Sequence, residues 1–333
     1  MIRLLAWGIR SLTVHHLSSQ RALRAAVVGA GVFGRHHATK YMRLPGVKLN
    51  AIADTDAEAR RHVAAHLHVP AFADWRELLG EIDVVSICSP AVTHAAIVRG
   101  FLEAGVDVLV EKPIATTIQE AEHLIALARS RGLVLTVGHQ ERFVFAKSGL
   151  LDYGDTPRFI ECVREGPWTG RGTDVSVVLD LMIHDLDLVH RLVPGALSDV
   201  RACGRSVHGD SHDKVIASLT FENGTEVELT ASRASETRRR SMRIVYDDGD
   251  IEIDLLSRKI VNTTGRMLHP LELHDPLAEA VAAFVDAVRA GASALVRPEE
   301  ARRALETALL IEETMAPAVV VQPQKRARAR RTA

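Results

Sequence analysis

The sequence predicts an α/β domain built on a parallel sheet, followed by an α+β domain built on a mainly antiparallel sheet. Two observations predict this order. Between residues 23 and 137, short runs rich in Val and Ile alternate with helical patterns, which is typical of a parallel sheet covered by helices on both faces. After about residue 140, polar and apolar residues alternate with period two, which indicates strands with one covered face.

The first domain is predicted over residues 23–140. Its strands and helices alternate, beginning and ending with a strand. In chain order they are LRAAVVGAG, FGRHHATKYMRL, VKLNAIAD, DAEARRHVAAHL, DVVSICSP, THAAIVRGFLEAG, DVLVEKP, TIQEAEHLIALARSRG and LVLTVGH. Because each helix separates two strands, the strands are expected to run parallel.

The second domain is predicted over residues 141–316. Its strands are PRFIECVRE, LSDVRACGRSV, KVIASLTFEN, TEVELTASRA, RSMRIVYDDG and DIEIDLLS, with the hairpin-turn signals ENGT and DDGD between strands. Two helices follow, DPLAEAVAAFVDAVRAG and RPEEARRALETALLIEETM. Each begins beside a proline, and the first is closed by a glycine, which are typical helix boundaries.

Composition narrows the class of protein. The chain has 333 residues and a formal net charge of −1, so neither a nucleic-acid nor a membrane partner is expected. Its three cysteines (Cys88, Cys162 and Cys203) have neither zinc-site nor disulfide spacing, which favours the cytoplasm and predicts no metal site. No apolar run reaches the roughly 18 residues that a membrane helix needs.

The two ends of the chain are predicted to lie outside both domains. Residues 1–22 carry Arg and Ser but no acid, so they are predicted to be a disordered extension, with an organelle transit peptide as the alternative. Residues 317–333 form a basic tail that is also predicted to be disordered.

A glycine-rich turn predicts a dinucleotide site. The stretch VVGAGVFG places Gly29, Gly31 and Gly34 between a strand and a helix, with Val32 and Phe33 inside the turn. Asp54 follows at the end of the next strand pattern, where a carboxylate binds both ribose hydroxyls. The same carboxylate would repel a 2′-phosphate, so NAD is favoured over NADP. The alternative is a turn without a ligand and an aspartate that caps a helix.

Two further strand ends contribute polar residues to the same edge of the sheet. SICSPAVTH brings Ser89, Pro90 and His94 there, and LVEKP brings Glu111, Lys112 and Pro113. Open α/β sheets bind ligands at the carboxyl ends of their strands. These residues are therefore predicted to line the cofactor site.

The stretch VVLDLMIHDLDLVH, residues 177–190, predicts an amphipathic helix with polar residues set among apolar ones. Asp180 and His184 are four residues apart, so a helix would stack them about 5–6 Å apart at Cβ. Either they form part of a site, or His184 is a core residue and Asp180 a surface one. Asp185 and Asp187 are expected to face solvent or neighbours on the helix.

Taken together, these motifs resemble the Gfo/Idh/MocA oxidoreductases, which are sugar and polyol dehydrogenases that use nicotinamide cofactors. The matching pieces are GAGVFGRHHA, SICSPAVTHAAI, EKPIATT, VGHQERF and DLMIHDLDL. The resemblance implies a Rossmann domain followed by a domain with a large, mostly antiparallel sheet, whose open face commonly pairs subunits into a homodimer or homotetramer. It implies Lys112, Asp180 and His184 as catalytic residues, and it leaves open whether Lys112 or His184 is the base.

Within that family, RGTDV, VVLDLMIHD, RFIEC and GHQERF resemble the subgroup that oxidises C3 of UDP-N-acetylglucosamine, a step toward a 3-amino sugar for lipid A. Arg142, Arg164 and Arg171 are candidates for binding the substrate diphosphate, since arginine binds phosphate with two hydrogen bonds, although each would equally suit a surface ion pair. Asp180 and His184 would contact the sugar, and Trp168 is expected to pack. The alternatives are a dehydrogenase of another sugar or polyol such as inositol, and a non-catalytic NAD(P)-binding regulator.

Overall fold

The computed structural model describes residues 21–315, except for 153, 171, 209 and 272–274. The predicted tail (317–333) lies outside the described residues, and so does the predicted N-terminal extension, apart from residues 21 and 22. Within the part that is described, none of the helices is long and apolar enough to cross a membrane.

The first sheet consists of six parallel strands. They are β1 (Leu23–Val28), β2 (Val47–Ala53), β3 (Ala71–Phe72), β4 (Val84–Ile87), β5 (Asp107–Val110) and β6 (Leu135–Val137). Their order across the sheet is β3-β2-β1-β4-β5-β6, so the order reverses between β1 and β4. The predicted parallel α/β sheet is confirmed, and the reversal leaves a crevice at the carboxyl ends of these two strands.

Four helices connect these strands. They are α1 (Val32–Arg43), α2 (Ala57–Leu67), α3 (His94–Glu103) and α4 (Ile118–Arg131). The side chains of Asp56 and Thr117 accept hydrogen bonds from backbone N–H groups at the starts of α2 and α4, which satisfies donors that a helix start leaves unpaired. Gly132 ends α4 at φ +64°, a conformation that glycine adopts without steric cost.

The second sheet consists of seven strands. They are β7 (Phe159–Glu165), β8 (Leu197–Arg205), β9 (Lys214–Phe221), β10 (Glu226–Ser232), β11 (Arg239–Tyr246), β12 (Gly249–Asp254) and β13 (Lys259–Asn262). Their order is β13-β12-β11-β7-β10-β9-β8. Among the described pairs, β7 and β10 run parallel and the others are antiparallel. The predicted large, mostly antiparallel sheet is therefore confirmed.

Four more helices complete the fold: α5 (Glu141–Ser148), α6 (Ile183–Leu192), α7 (Pro276–Ala290) and α8 (Pro298–Thr314). The π-helical turn Val178–Met182 leads directly into α6. The sequence pattern did not predict α5, which is only eight residues long.

Helix α7 follows the second sheet in the chain but packs on the first sheet. Its residues Leu277, Val281 and Phe284 share one buried cluster with Val27 of β1 and Leu109 of β5. The sequence predicts this helix as part of the second domain, because it follows that sheet in the chain. Chain order did not reveal that its apolar face covers the Rossmann sheet.

Replacing Phe284 tests this packing. Phe284 is fully buried, so Phe284→Ala should lower the free energy of unfolding by about 3–5 kcal/mol, through lost burial and the cavity left behind. Urea denaturation would measure this. Asp286→Ala on the exposed side of α7 should change it by less than about 0.5 kcal/mol. Equal effects of the two substitutions would contradict the packing described here.

Candidate active site

A cleft of about 620 Å³ opens where the strand order of the first sheet reverses. It is lined by residues that follow β1, β2, β4 and β5, together with part of the segment 172–180 from the second domain. Of the residues predicted to bind the cofactor, those that line it are Gly29, Gly31, Phe33, Asp54, Ser89, Pro90, His94, Glu111, Lys112 and Pro113. Val32 and Gly34 do not line it.

The three glycines of the turn meet different constraints. Gly29 has φ +98°, and a Cβ there would lie 2.6 Å from the backbone carbon of Cys88. A Cβ on Gly34 would lie 1.7 Å from the carbonyl oxygen of Gly29, so Gly34 allows α1 to pack against the turn. A Cβ on Gly31 would have no heavy atom within 4 Å. Its open side faces the cleft, where a pyrophosphate would approach the backbone.

Asp54 lies at the end of β2, with its carboxylate held by the turn. One carboxylate oxygen accepts a hydrogen bond from the backbone N–H of Ala30. The other accepts one from the backbone N–H of Asp56, at 2.8 Å. The carboxylate is thereby fixed at the wall of the cleft. Space above Gly31 and a fixed carboxylate at Asp54 are what a dinucleotide needs, so the residues present fit NAD.

His94 joins two of the segments that line the cleft. Its ring is buried, with Nδ1 2.7 Å from the carbonyl oxygen of Pro113 and Nε2 2.9 Å from that of Ser89. Burial lowers the pKa of His94 more than these two carbonyls raise it. A neutral ring donates one hydrogen bond, so His94 holds the two loops together by one hydrogen bond and close packing.

Glu111 is a buried carboxylate next to Lys112. It accepts hydrogen bonds from His37 Nε2 at 2.9 Å and from Gln140 Nε2 at 3.1 Å. Burial opposes ionisation of Glu111, but the hydrogen bond from His37 and the nearby charges of His37, Lys112 and His184 lower its pKa overall. Glu111 therefore adds negative charge at the centre of the site.

Lys112 and Asp180 meet across the cleft. The Lys112 ammonium donates to the backbone carbonyl of Asp180 and lies 3.2 Å from its carboxylate oxygen Oδ1. Both side chains are largely buried, with exposed fractions of 13% and 22%. The structure thus brings together a lysine from the first domain and an aspartate from the second, at the predicted edge where the parallel strands end.

Asp180 and His184 line adjoining cavities. Asp180 lies in the π-helical turn, whose wider turns do not stack residues four apart as an α-helix does. Asp180 lines the large cleft, and His184 lines a second pocket of about 280 Å³. The two cavities share Phe33 and Glu111, so they adjoin at one place.

His184 is oriented by Glu141. Its Nδ1 lies 3.0 Å from a Glu141 carboxylate oxygen. Burial disfavours the charged form of Glu141, yet His184 and Arg164 hold the pKa of this carboxyl well below its usual range. An ionised Glu141 accepts a hydrogen bond from His184 Nδ1 when that nitrogen carries the proton. In a neutral ring the lone pair is then on Nε2. Glu141 is not among the predicted site residues, because neither its charge nor its spacing in the sequence distinguishes it from a surface acid.

Arg142 and Arg164 do not lie where a substrate diphosphate could reach them. Arg164 donates two hydrogen bonds to Asp185, at 2.7 and 2.9 Å, and one to Glu141. Arg142 donates two to Asp187, at 2.6 and 2.7 Å, and is also paired with a glutamate of α8. Both arginines are 2% exposed, so the geometry does not support phosphate binding.

The same ion pairs show that one further expectation was wrong. Asp185 and Asp187 were expected to face solvent or neighbours on the helix, but they are 3% and 1% exposed. A buried guanidinium must be neutralised by carboxylates, and helical periodicity does not show where that guanidinium lies. Arg171 lies outside the described residues. Trp168 is 37% exposed and stacks on His208, with ring centroids 4.3 Å apart.

The pair of Arg142 and Asp187 should stabilise the fold. Asp187→Ala would leave a buried guanidinium short of a carboxylate, and we expect a loss of about 3–5 kcal/mol in the free energy of unfolding. Arg142→Met combined with Asp187→Leu should cost less, since both charges of the pair are removed and Glu300, the other partner of Arg142, keeps Arg191 and Arg297. Urea denaturation measures both. In the exposed pair of Asp199 and Arg201, Asp199→Ala should cost less than about 1 kcal/mol; a similar small loss for Asp187→Ala would refute the structural role.

The chain is similar to known proteins of one family. The chain matches the oxidoreductase family with an NAD-binding Rossmann fold over residues 23–139, and the GFO/IDH/MocA C-terminal domain over residues 152–252. It is 39% identical over 239 residues to the UDP-N-acetylglucosamine 3-dehydrogenase of Acidithiobacillus ferrooxidans, which covers 72% of this chain and 76% of that protein. It is 30% identical over 224 residues to an inositol 2-dehydrogenase/D-chiro-inositol 3-dehydrogenase of Halalkalibacterium halodurans, covering 63% and 64% of the two chains.

Solved structures of similar proteins have the same fold as this chain. The UDP-N-acetylglucosamine 3-dehydrogenase GnnA from Acidithiobacillus ferrooxidans matches with a TM-score of 0.82 and 36% identity, over 88% of this chain and 97% of that chain. A scyllo-inositol dehydrogenase from Lactobacillus casei, solved with NAD(H) and scyllo-inositol, matches with a TM-score of 0.76 and 21% identity, over 88% and 97%; this second likeness concerns the fold alone. The resemblance read from the sequence motifs is confirmed, and the chain belongs to the Gfo/Idh/MocA family of NAD-binding oxidoreductases.

Proposed function

We propose that this oxidoreductase converts C3 of UDP-N-acetylglucosamine from a secondary alcohol to a ketone. The observation that carries the proposal is the meeting of Lys112 and Asp180 in the cleft beside the glycine turn. The relative at 39% identity, a UDP-N-acetylglucosamine 3-dehydrogenase, supports the choice of sugar. A 3-keto nucleotide sugar is the kind of compound that an aminotransferase would convert to a 3-amino sugar.

The residues proposed to hold NAD are those that line the cleft. Gly29 and Gly31 would admit the pyrophosphate to the start of α1, where backbone N–H groups are free to bind anions. Asp54 would accept hydrogen bonds from the ribose hydroxyls and would repel a 2′-phosphate, so NADP is disfavoured. When bound, NAD supplies the acceptor for the hydride.

The chain's own residues would move the proton. Lys112 and His184 are the two candidates for taking the proton of the substrate hydroxyl or stabilising the alkoxide. Glu141 fixes the proton-bearing nitrogen of His184 at Nδ1, so a neutral ring presents Nε2 as the acceptor. Asp180, held by Lys112, would orient the lysine or a sugar hydroxyl.

A second candidate is a dehydrogenase of inositol or another free polyol, because several relatives carry inositol dehydrogenase names. A non-catalytic NAD(P)-binding regulator is less well supported. A regulator that only senses the cofactor needs the cofactor site. It has no need for Lys112 held against Asp180, whereas hydride-transfer chemistry does.

We also propose a cytoplasmic homodimer or homotetramer. The face of the second sheet that the helices leave open includes exposed Ile216 and Val261, and burying such hydrophobic side chains favours pairing with another copy. The free cysteines among the described residues suit a reducing compartment.

The function is tested by following NADH formation with purified protein, NAD and UDP-N-acetylglucosamine, with an aminotransferase and glutamate present to remove the ketone. We expect a steady rise with the nucleotide sugar and none with free N-acetylglucosamine or myo-inositol. A rise with inositol alone would replace the first candidate by the second. NAD binding without turnover on any of a panel of sugars and polyols would favour the regulator.

Lys112→Ala should lower kcat by about 10²–10⁴-fold, the usual contribution of a proton-transfer group. NAD affinity, measured by calorimetry, should stay close to that of the wild type, since the glycine turn and Asp54 are untouched. Lys147→Ala, which removes a half-exposed lysine of α5, is the matched control and should retain turnover. Turnover that survives Lys112→Ala would overturn the proposed mechanism.

Two glycine substitutions should separate cofactor binding from folding. Gly31→Ala meets open space, so it should leave Tm nearly unchanged yet weaken NAD binding by about tenfold or more, since a methyl group would fill the pyrophosphate position. Gly34→Ala collides with the Gly29 carbonyl and should lower Tm itself. Thermal denaturation and NAD titration measure the two effects. Unchanged NAD affinity in Gly31→Ala would contradict the assigned cofactor position.

A further inference from the structure

The second pocket, beside His184, has two arginines in its wall as well as the carboxylates of Glu111 and Glu141. Its volume is about 280 Å³, and Arg240 and Arg258 line it together with Gln140 and His184. It adjoins the cofactor cleft through Phe33 and Glu111. A ligand that reached both Lys112 and His184 would therefore extend toward these arginines.

Arg240 lies near the start of β11, on the face of the sheet that packs inward. Met242 and Ile244, two and four residues further on, are buried on that face. Directly opposite Arg240 on the neighbouring strand is Arg164. Two cations therefore stand side by side at this end of the sheet.

The two arginines differ in their partners. Arg164 is neutralised by Asp185 and Glu141. The Arg240 guanidinium has neither an ion pair nor a side-chain hydrogen bond with any residue that the structure describes. Burial and then the charge of Arg164 lower the pKa of Arg240, and the nearby carboxylates of Glu141 and Asp185 offset this lowering only in part. Like charges on directly opposed residues destabilise a sheet, and a half-buried cation without a partner costs further stability.

We propose that Arg240 binds the diphosphate of the substrate. The inference rests on the proposed nucleotide-sugar function and replaces the two arginines that the sequence suggested for this task. A planar guanidinium with its donors unused binds phosphate oxygens through two parallel hydrogen bonds. The sugar hydroxyl then lies toward His184 and Lys112, and the diphosphate lies toward β11.

Arg258 strengthens this wall. It lies in the turn between β12 and β13 with φ +58°, a left-handed conformation that is uncommon for a residue with a side chain. Asp254 accepts hydrogen bonds from the backbone N–H groups of Leu256 and Ser257 in the same turn. The turn is thus held in a shape that brings a second cation to the pocket.

The test compares Arg240→Gln with Arg239→Gln. Arg239 is the neighbouring residue on β11, is exposed, and alternates to the other face of the sheet. Calorimetry with UDP, in the presence of NAD, should show binding weakened by about 10–100-fold in Arg240→Gln, the range of a lost charged hydrogen bond. Arg239→Gln should bind UDP within about twofold of the wild type.

A second measurement separates binding from folding. Because Arg240 faces another cation and has no partner, Arg240→Gln should raise Tm by a few degrees or leave it unchanged. A residue that served only to stabilise the sheet would lower Tm when replaced. Weaker UDP binding together with an undiminished Tm is the result that supports an anion-binding role.

The outcomes distinguish this inference from the proposed function. If the wild type oxidises UDP-N-acetylglucosamine and Arg240→Gln has the same KM and the same affinity for UDP, the anion site is refuted and the function stands. If UDP binds through Arg240 but UDP-N-acetylglucosamine is not oxidised, the anion site stands and the sugar is wrong. If glucuronate instead of UDP binds in an Arg240-dependent way, the anion is a sugar carboxylate and the diphosphate assignment is refuted.

Discussion

The arrangement of the site depends on how one buried cation is neutralised. Arg164 projects from β7 into the interior, where an unpaired guanidinium would be strongly destabilising. Asp185 of α6 and Glu141 of α5 supply the two carboxylates that it needs. The same Glu141 then binds His184. The requirement to neutralise Arg164 therefore fixes two helices against the second sheet and orients the imidazole.

A comparable constraint acts at the cofactor end, but it is steric. A side chain on Gly29 would collide with the backbone of Cys88, and a side chain on Gly34 would collide with the carbonyl oxygen of Gly29. This closeness brings the start of α1 to the edge where β1 and β4 end. Glu111 links the two ends, since it lines both cavities, accepts a hydrogen bond from His37 and directly precedes Lys112. The cofactor cleft and the pocket beside His184 are thus shaped by separate constraints that meet at one carboxylate.

The sequence predicted what depends on local pattern. Strand and helix alternation gave the parallel sheet, period-two alternation gave the second sheet, and glycine spacing gave the turn at Gly29. It failed where the outcome depends on a distant partner. Arg142 and Arg164 look like phosphate ligands in sequence, because their carboxylates lie elsewhere in the chain. The π-helical turn at Asp180 and the packing of α7 on the first sheet likewise depend on tertiary contacts that periodicity does not report.

Arg240 shows how the two kinds of arginine can be separated. In the sequence, Arg164 and Arg240 are alike: each occupies an inward position near one end of an alternating strand. In the structure, one has two carboxylates and the other has neither an ion pair nor a side-chain hydrogen bond among the described residues. Folding alone explains Arg164, because its charge is satisfied within the protein. Folding does not explain Arg240, since a neutral side chain there would avoid repulsion from Arg164. An interaction that weakens the fold at the wall of a pocket is better accounted for by a ligand of opposite charge than by stability.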